Sequence, residues 1–182
     1  MIALIILIIV IAIVAWAISS YNSLQSLNVN IDEAQSQIDV QLQRRADLIP
    51  NLVEIVKGYA NHEKSTLTEV IRLRNNLVSG SLPEKMEANT KLTQDLHQLF
   101  AVAENYPDLK ADKEFMSLQE ELVNTEDKVG YARQLYNSCV GTYNRALVRF
   151  PGSLIANMVN MNKRDYLKVD EDKVKEVPKI SF

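Results

Sequence analysis

The amino-acid sequence predicts an all-α protein: an N-terminal transmembrane helix continuing into an up-and-down antiparallel four-helix bundle, then a short C-terminal helix and a tail. Three observations carry that expectation. Ile2 to Ile18 reads IALIILIIVIAIVAWAI, with no charged or strongly polar side chain. Beyond it, apolar residues recur three or four apart, the period of one helix face. Only five glycines and five prolines occur in 182 residues, too few turn formers for an all-β fold. The expected division is an anchor over 1–20, a bundle over 21–150, and an amphipathic helix with extended tail over 151–182.

The apolar stretch comes first. As a helix it reaches about 26 Å, close to the ~30 Å hydrocarbon core of a bilayer. Trp16 and Tyr21 suit the headgroup zone at its end. Ala15-Trp16-Ala17 resembles a signal-peptide cleavage site, but no Lys or Arg precedes the run, and the run exceeds the usual length. A retained anchor is therefore expected; a mature terminus at Ile18 in native membranes would overturn it.

From Ser19 to Ile49 the chain holds neither Gly nor Pro, and Tyr21, Leu24, Leu27, Ile31, Ala34, Ile38, Leu42 and Ile49 form one helical stripe. Pro50 lacks the N–H that would bond the Ala46 carbonyl, so the helix either kinks or ends there. Leu52, Val56 and Tyr59 resume the stripe, and Gly58 to Glu63 is the second candidate turn. Leu67, Val70, Ile71, Leu73 and Leu77 continue to Val78. Ser79 to Pro83 is the clearest loop, with Pro83 and Glu84 placed to open a helix that carries Met86, Leu92, Leu96, Leu99, Phe100 and Ala103. Tyr106 to Lys110 makes another turn. From Ala111 to Arg149 a heptad-like seam runs through Phe115, Leu118, Leu122, Val129, Tyr136, Val140, Tyr143, Leu147 and Phe150. Pro151-Gly152 stops it, Leu154, Ile155, Met158 and Met161 suggest a short amphipathic helix, and the tail from about Asp165 reads as extended or disordered. Antiparallel packing would send the helix over 111–149 back toward the bilayer and bring Leu154, Ile155 and Met158 to its surface.

Charge excludes one class of partner. Twenty basic and 23 acidic residues give a net charge of −3, which is no footprint for nucleic acid. The first basic residues after the anchor, Arg44 and Arg45, lie too far along to sort its orientation. Cys139 is the single cysteine, so no intrachain disulfide forms.

Several strings resemble the LemA family. They are Gln43-Arg-Arg-Ala-Asp-Leu-Ile-Pro-Asn-Leu-Val53 with Lys57 to Glu63, Glu104-Asn-Tyr-Pro-Asp-Leu-Lys-Ala111, and Leu118-Gln-Glu-Glu-Leu122 with Thr125-Glu126. Arg133, Tyr136-Asn137, Tyr143-Asn144 and the closing Val177-Pro-Lys-Ile-Ser-Phe182 follow in order, with Val177 where a second proline is the family's habit. The resemblance covers essentially the whole chain. It implies a transmembrane helix at the amino terminus, a helical bundle in the cytoplasm and no established enzymatic activity. Some relatives belong to the magnetosome membrane set of magnetotactic bacteria, which implies a membrane-organising role.

The residues offer little chemistry. His62 and His97 lack the Glu-x-x-His partners of a bundle metal site, so His62 reads as a turn residue and His97 as a surface one. Arg44, Arg45 and Asp47 read as helix-face ion pairs, with binding of phosphate or an acidic partner as the sharper alternative and the double basic pair as a docking point for a partner helix. Glu126, Arg133, Asn137 and Asn144 lie by the long seam, where they are expected to bond one another and fix register between helices. Tyr136 and Tyr143 read as core aromatics, and Cys139 as a small hydrophobe. No catalytic, cofactor or metal residue is assigned. The expected function is that of a non-enzymatic single-pass scaffold of the bacterial inner membrane, touching the lipid bilayer and self-associating. The alternative is a regulatory adaptor of a membrane protease or sensor. Neither a nucleic acid nor a small-molecule substrate is expected as a partner.

Overall fold

A computed structural model describes residues 1–59 and 64–168, the side chains of Lys64 and Ser65 excepted. The described residues form α1 (Ile2–Tyr59), α2 (Lys64–Val78), α3 (Leu82–Ala103), α4 (Pro107–Lys110), α5 (Lys113–Val148) and α6 (Gly152–Met158), with no strand among them. Two compact units divide the chain. One comprises Met1–Ile31 with Tyr136–Phe182, the other Asp32–Leu135, so α1 and α5 each contribute to both.

The unit over Asp32–Leu135 carries the up-and-down bundle, and its cross-helix bonds give the directions. Asp39 and Arg45 of α1 meet Lys85 and Asn89 of α3, so those two helices run parallel. Tyr59 meets Asp112 just ahead of α5, and Arg45 meets Glu126 within it, so α5 runs against α1. α2 returns between α1 and α3. Ile38, Leu42, Ile49 and Leu52 from α1 join Leu73 and Leu77 from α2, Leu92 and Leu96 from α3 and Leu122 from α5 in the core. Each such side chain contributes about 1.5–3 kcal/mol by leaving water. Phe100 and Phe115 close one end edge to face, ring centroids 6.0 Å apart.

α1 passes through Pro50 without ending and runs on to Tyr59. The alternative turn at Gly58–Glu63 falls mostly on 60–63, outside the described residues. The reason Pro50 is tolerated lies on a neighbouring helix. Its ring leaves the Ala46 carbonyl without an N–H donor in a fully buried position, and Arg74 Nε of α2 donates to that oxygen at 3.2 Å. Loop 79–81 is equally specific. Gly80 has φ +108°, and a Cβ there would sit 2.9 Å from the Glu84 carboxylate. The Ser81 N–H and hydroxyl both donate to that carboxylate at 2.7 Å, half of a capping box at the head of α3.

In the unit built from both ends of the chain, residues from Ile2 to Val14 are exposed on every side of α1. This is the helix long and apolar enough to cross a membrane, with mean hydropathy 3.2 in its best window. Leu24 and Ile31 then bury, as do Tyr136, Val140, Tyr143 and Leu147 of α5. Some details depart from expectation. Tyr21 and Tyr59, placed in the apolar stripe of α1, are 38% and 43% exposed. Phe150 lies beyond the end of α5 and is 78% exposed, so it is no part of the seam. Ile71, expected in the core, is 40% exposed.

Candidate functional site

The most constrained polar group in the bundle is Arg45. It occupies the stripe of α1 between Leu42 and Ile49, one turn from each, and is 1% exposed. Nη1 donates to Asn89 Oδ1 at 2.7 Å, while Nη2 lies 3.6 Å from the half-buried Glu126 carboxylate. Nε and, one turn past Asn89 on α3, the Thr93 hydroxyl are buried without a hydrogen-bond partner in the chain. Burial pushes the guanidinium down from its ordinary value, opposed by Glu126; at neutral pH the charge stays. Thr125 answers its own burial by donating to the Leu122 carbonyl at 2.9 Å. The node holds α1, α3 and α5 in register.

That placement corrects the joint reading of Arg44 and Arg45. Arg44 is exposed and Asp47 accepts from Gln43 at 2.8 Å, while Arg45 faces inward, so the two guanidinium groups do not present one anion-binding surface. The register at 45 was the available signal, since an arginine three after Leu42 and four before Ile49 lands on the apolar face.

Asn137 and Asn144 do not bond the other seam residues either. Asn137 donates to the Leu167 carbonyl and accepts from the Leu167 N–H, both at 2.9 Å. Asn144 does the same to Arg164, at 2.8 and 3.0 Å. Each side-chain amide thus imitates one rung of a β-ladder. Seven helical residues rise about 10.5 Å and three extended residues about 10 Å, so the two rungs match a strap running antiparallel to α5. The Tyr136 hydroxyl adds a bond to the Asp165 carbonyl at 3.3 Å. The strap continues the chain as extended backbone through Lys168; the expected tail beyond that lies outside the described residues. Arg133 is half-buried, and Tyr143 is buried, which raises its hydroxyl against the opposing charge of Arg164. Cys139 is half-buried and free.

His97 is exposed on α3, and His62 lies outside the described residues. No group of three or more metal-capable side chains gathers among the described residues.

Beside the Arg45 node a groove of about 520 Å³ opens between α1 and α5. Val40 and Tyr131 stand on it at 59% and 71% exposure, and Asp127 and Lys128 supply neighbouring opposite charges. Gln41, one turn before Arg45, lines it with a side-chain oxygen that is buried without a donor. Such a surface can hold an apolar side chain and pair charges.

A long apolar helix, exposed along its first turns and continuing into a helical bundle, defines a membrane-associated helical protein. The chain belongs to the LemA family, whose model matches residues 34–182. It is 24% identical over 186 residues to magnetosome protein MamQ 2 of Paramagnetospirillum magneticum, spanning 87% of this chain and 68% of that relative. It is likewise 24% identical over 142 residues to protein LemA of Metamycoplasma hominis, spanning 77% of this chain and 65% of that one. None of these names denotes an enzyme.

Proposed function

We propose that the chain is a non-enzymatic, single-pass scaffold of the bacterial inner membrane that self-associates and so organises membrane or partner proteins. Its α1 anchor is retained, and its bundle faces the cytoplasm. The observation that carries the reading is the α1–α5 groove. Tyr131 and Val40 are too apolar to be left at 71% and 59% exposure without a use, and they flank a recess rather than a flat face. Asp127 and Lys128 suit a two-fold contact, in which each copy's acid meets the other's base. A relative named for the magnetosome supports work at a membrane.

A Tyr131→Cys variant in a Cys139→Ala background tests this in native membranes. A disulfide-linked adduct of twice the chain mass is expected on mild oxidation, and adding Val40→Asp should remove it. Failure to form any adduct, with a monomer in mild detergent, would sink self-association. The adaptor reading draws on the same groove, where Asp127 and Lys128 can pair with charges of a different protein; a stoichiometric adduct of another mass would favour it. Labelling Ser79→Cys with a membrane-impermeant reagent decides the side, and reaction from outside intact cells would refute the cytoplasmic placement.

A further inference from the structure

Charge is distributed unevenly along this chain. Residues 19–31, which follow the apolar stretch, carry none, and the whole molecule is at −3. Yet the described part of α5, α6 and the strap within the same unit as the anchor holds Arg145, Arg149, Lys163, Arg164 and Lys168 against the single acid Asp165. Folding therefore supplies the juxtamembrane cations that the linear sequence lacks.

Their position is fixed at several points. Arg164 Nε donates to Asn28 Oδ1 at 3.2 Å, and its backbone is held by Asn144, so this stretch of α5 lies level with Asn28. From Asn144 the chain proceeds toward the anchor end of α1. Gly152 reaches Leu24, whose side chain would lie 3.7 Å from a Cβ at that position, and it abuts the Ala146 carbonyl so closely that only glycine fits. Leu24 lies about 9 Å along α1 from Ile18. The headgroup layer extends roughly 5–8 Å beyond the hydrocarbon. A side chain projecting from α6 spans the difference.

α6 has such side chains. Ile155 and Ala156 are buried at 7% and 3% and fix the helix to its unit. Leu154 and Met158, four apart and so on one face, are 52% and 79% exposed, with Phe150 at 78% just before them. Apolar tips flanked by arginine and lysine are the composition of an interfacial membrane contact. We propose that α6 and its flanks form a second membrane contact, seating Phe150, Leu154 and Met158 in the headgroup layer of an anionic phospholipid leaflet while Arg149 and Lys163 meet lipid phosphates. Ile155, placed at the lipid by sequence, is instead the residue that holds the wedge. This contact goes beyond the scaffold reading and stands whether or not the chain self-associates.

The test uses the full chain in vesicles of phosphatidylcholine alone or with 30% phosphatidylglycerol (a composition of roughly cellular charge density). Leu154→Cys and Met158→Cys, each in a Cys139→Ala background, are labelled with an environment-sensitive fluorophore, with Ser138→Cys as the solvent-facing control. Shallow-depth brominated lipid should quench the labels at 154 and 158 at least twofold more than at 138. The difference should grow with anionic lipid and shrink by half or more when Arg149→Glu and Lys163→Glu are added. Equal quenching at all three positions would overturn the proposal. So would a blue shift at 154 that depends on protein density and not on lipid, since a second copy would then be the occupant. Quenching indifferent to anionic lipid would refute the part assigned to Arg149 and Lys163.

Discussion

Pro50 shows how one side chain can mend what another breaks. Without Arg74, the Ala46 carbonyl would sit in the core with no donor, at a cost of about 1–3 kcal/mol. Replacing Arg74 by Met in the detergent-solubilised chain should lower stability by about 1–2 kcal/mol, read from urea midpoints. In a Pro50→Ala background, where the backbone supplies the N–H again, that loss should fall by half or more. Equal losses in both backgrounds would mean that Arg74 acts elsewhere. The Arg45 node makes a second, sharper contrast. Arg45→Ala strands Asn89 and Glu126 and leaves a cavity, costing about 3–5 kcal/mol, whereas Arg45→Met keeps the volume and should cost far less. Glu126→Gln should cost about 1 kcal/mol or under, because that carboxylate is 35% exposed. Acid titration belongs to the same scale. N–H groups of Phe115 and Glu114 and the hydroxyl of Tyr59 hold the Asp112 carboxyl below its usual range, and Ser81 does so for Glu84. A depressed folded pKa gives stability that is complete above the unfolded value, roughly pH 4, and lost as pH falls through the folded one. The thermal midpoint should therefore drop on acidification below that point. Asp112→Asn with Glu84→Gln should flatten the acid limb.

At the scale of elements, hydrophobic periodicity was legible and polar partnership was not. The stripe of α1 from Leu24 to Val56 and the seam of α5 from Phe115 to Leu147 follow the three- and four-residue spacing, and the expected loop at Ser79–Pro83 shortens to 79–81 because Leu82 and Pro83 open α3. Spacing could not show that Arg74 of another helix would rescue Ala46, because that bond depends on which helices become neighbours. The strap was hidden for a related reason. Asn137 and Asn144, seven apart on a helix, match any partner with a repeat near 10 Å, and a second helix was the obvious choice. Their partner is extended backbone. Asn144→Ala should remove both bonds to Arg164 and raise hydrogen exchange over 161–168, leaving α2 and α3 protected as before. Unchanged exchange in the strap would refute the clamp. Of the candidate sites, the exposed His97 was legible from its spacing, while the groove beside Val40 and Tyr131 emerges only when α1 and α5 are paired.

For the molecule as a whole, the two units differ in how they use the chain. Asp32–Leu135 is one continuous stretch, whereas the other unit joins the first 31 residues to those from Tyr136 onward. The hydrogen bond between Arg164 and Asn28 closes that join across 136 positions of sequence. A ribosome adding about 5–20 residues each second needs some 7–30 s to travel that far. The apolar stretch of α1 is thus made long before the segments that share its unit exist, while the contiguous stretch is complete sooner. A chain ending at Leu135 and released from the ribosome should resist protease over α2 and α3 and stay cleavable between Tyr21 and Ile31, and the full-length chain should close that window. The order of synthesis therefore makes the apolar stretch of α1 wait, already translated, for the segments that complete its unit.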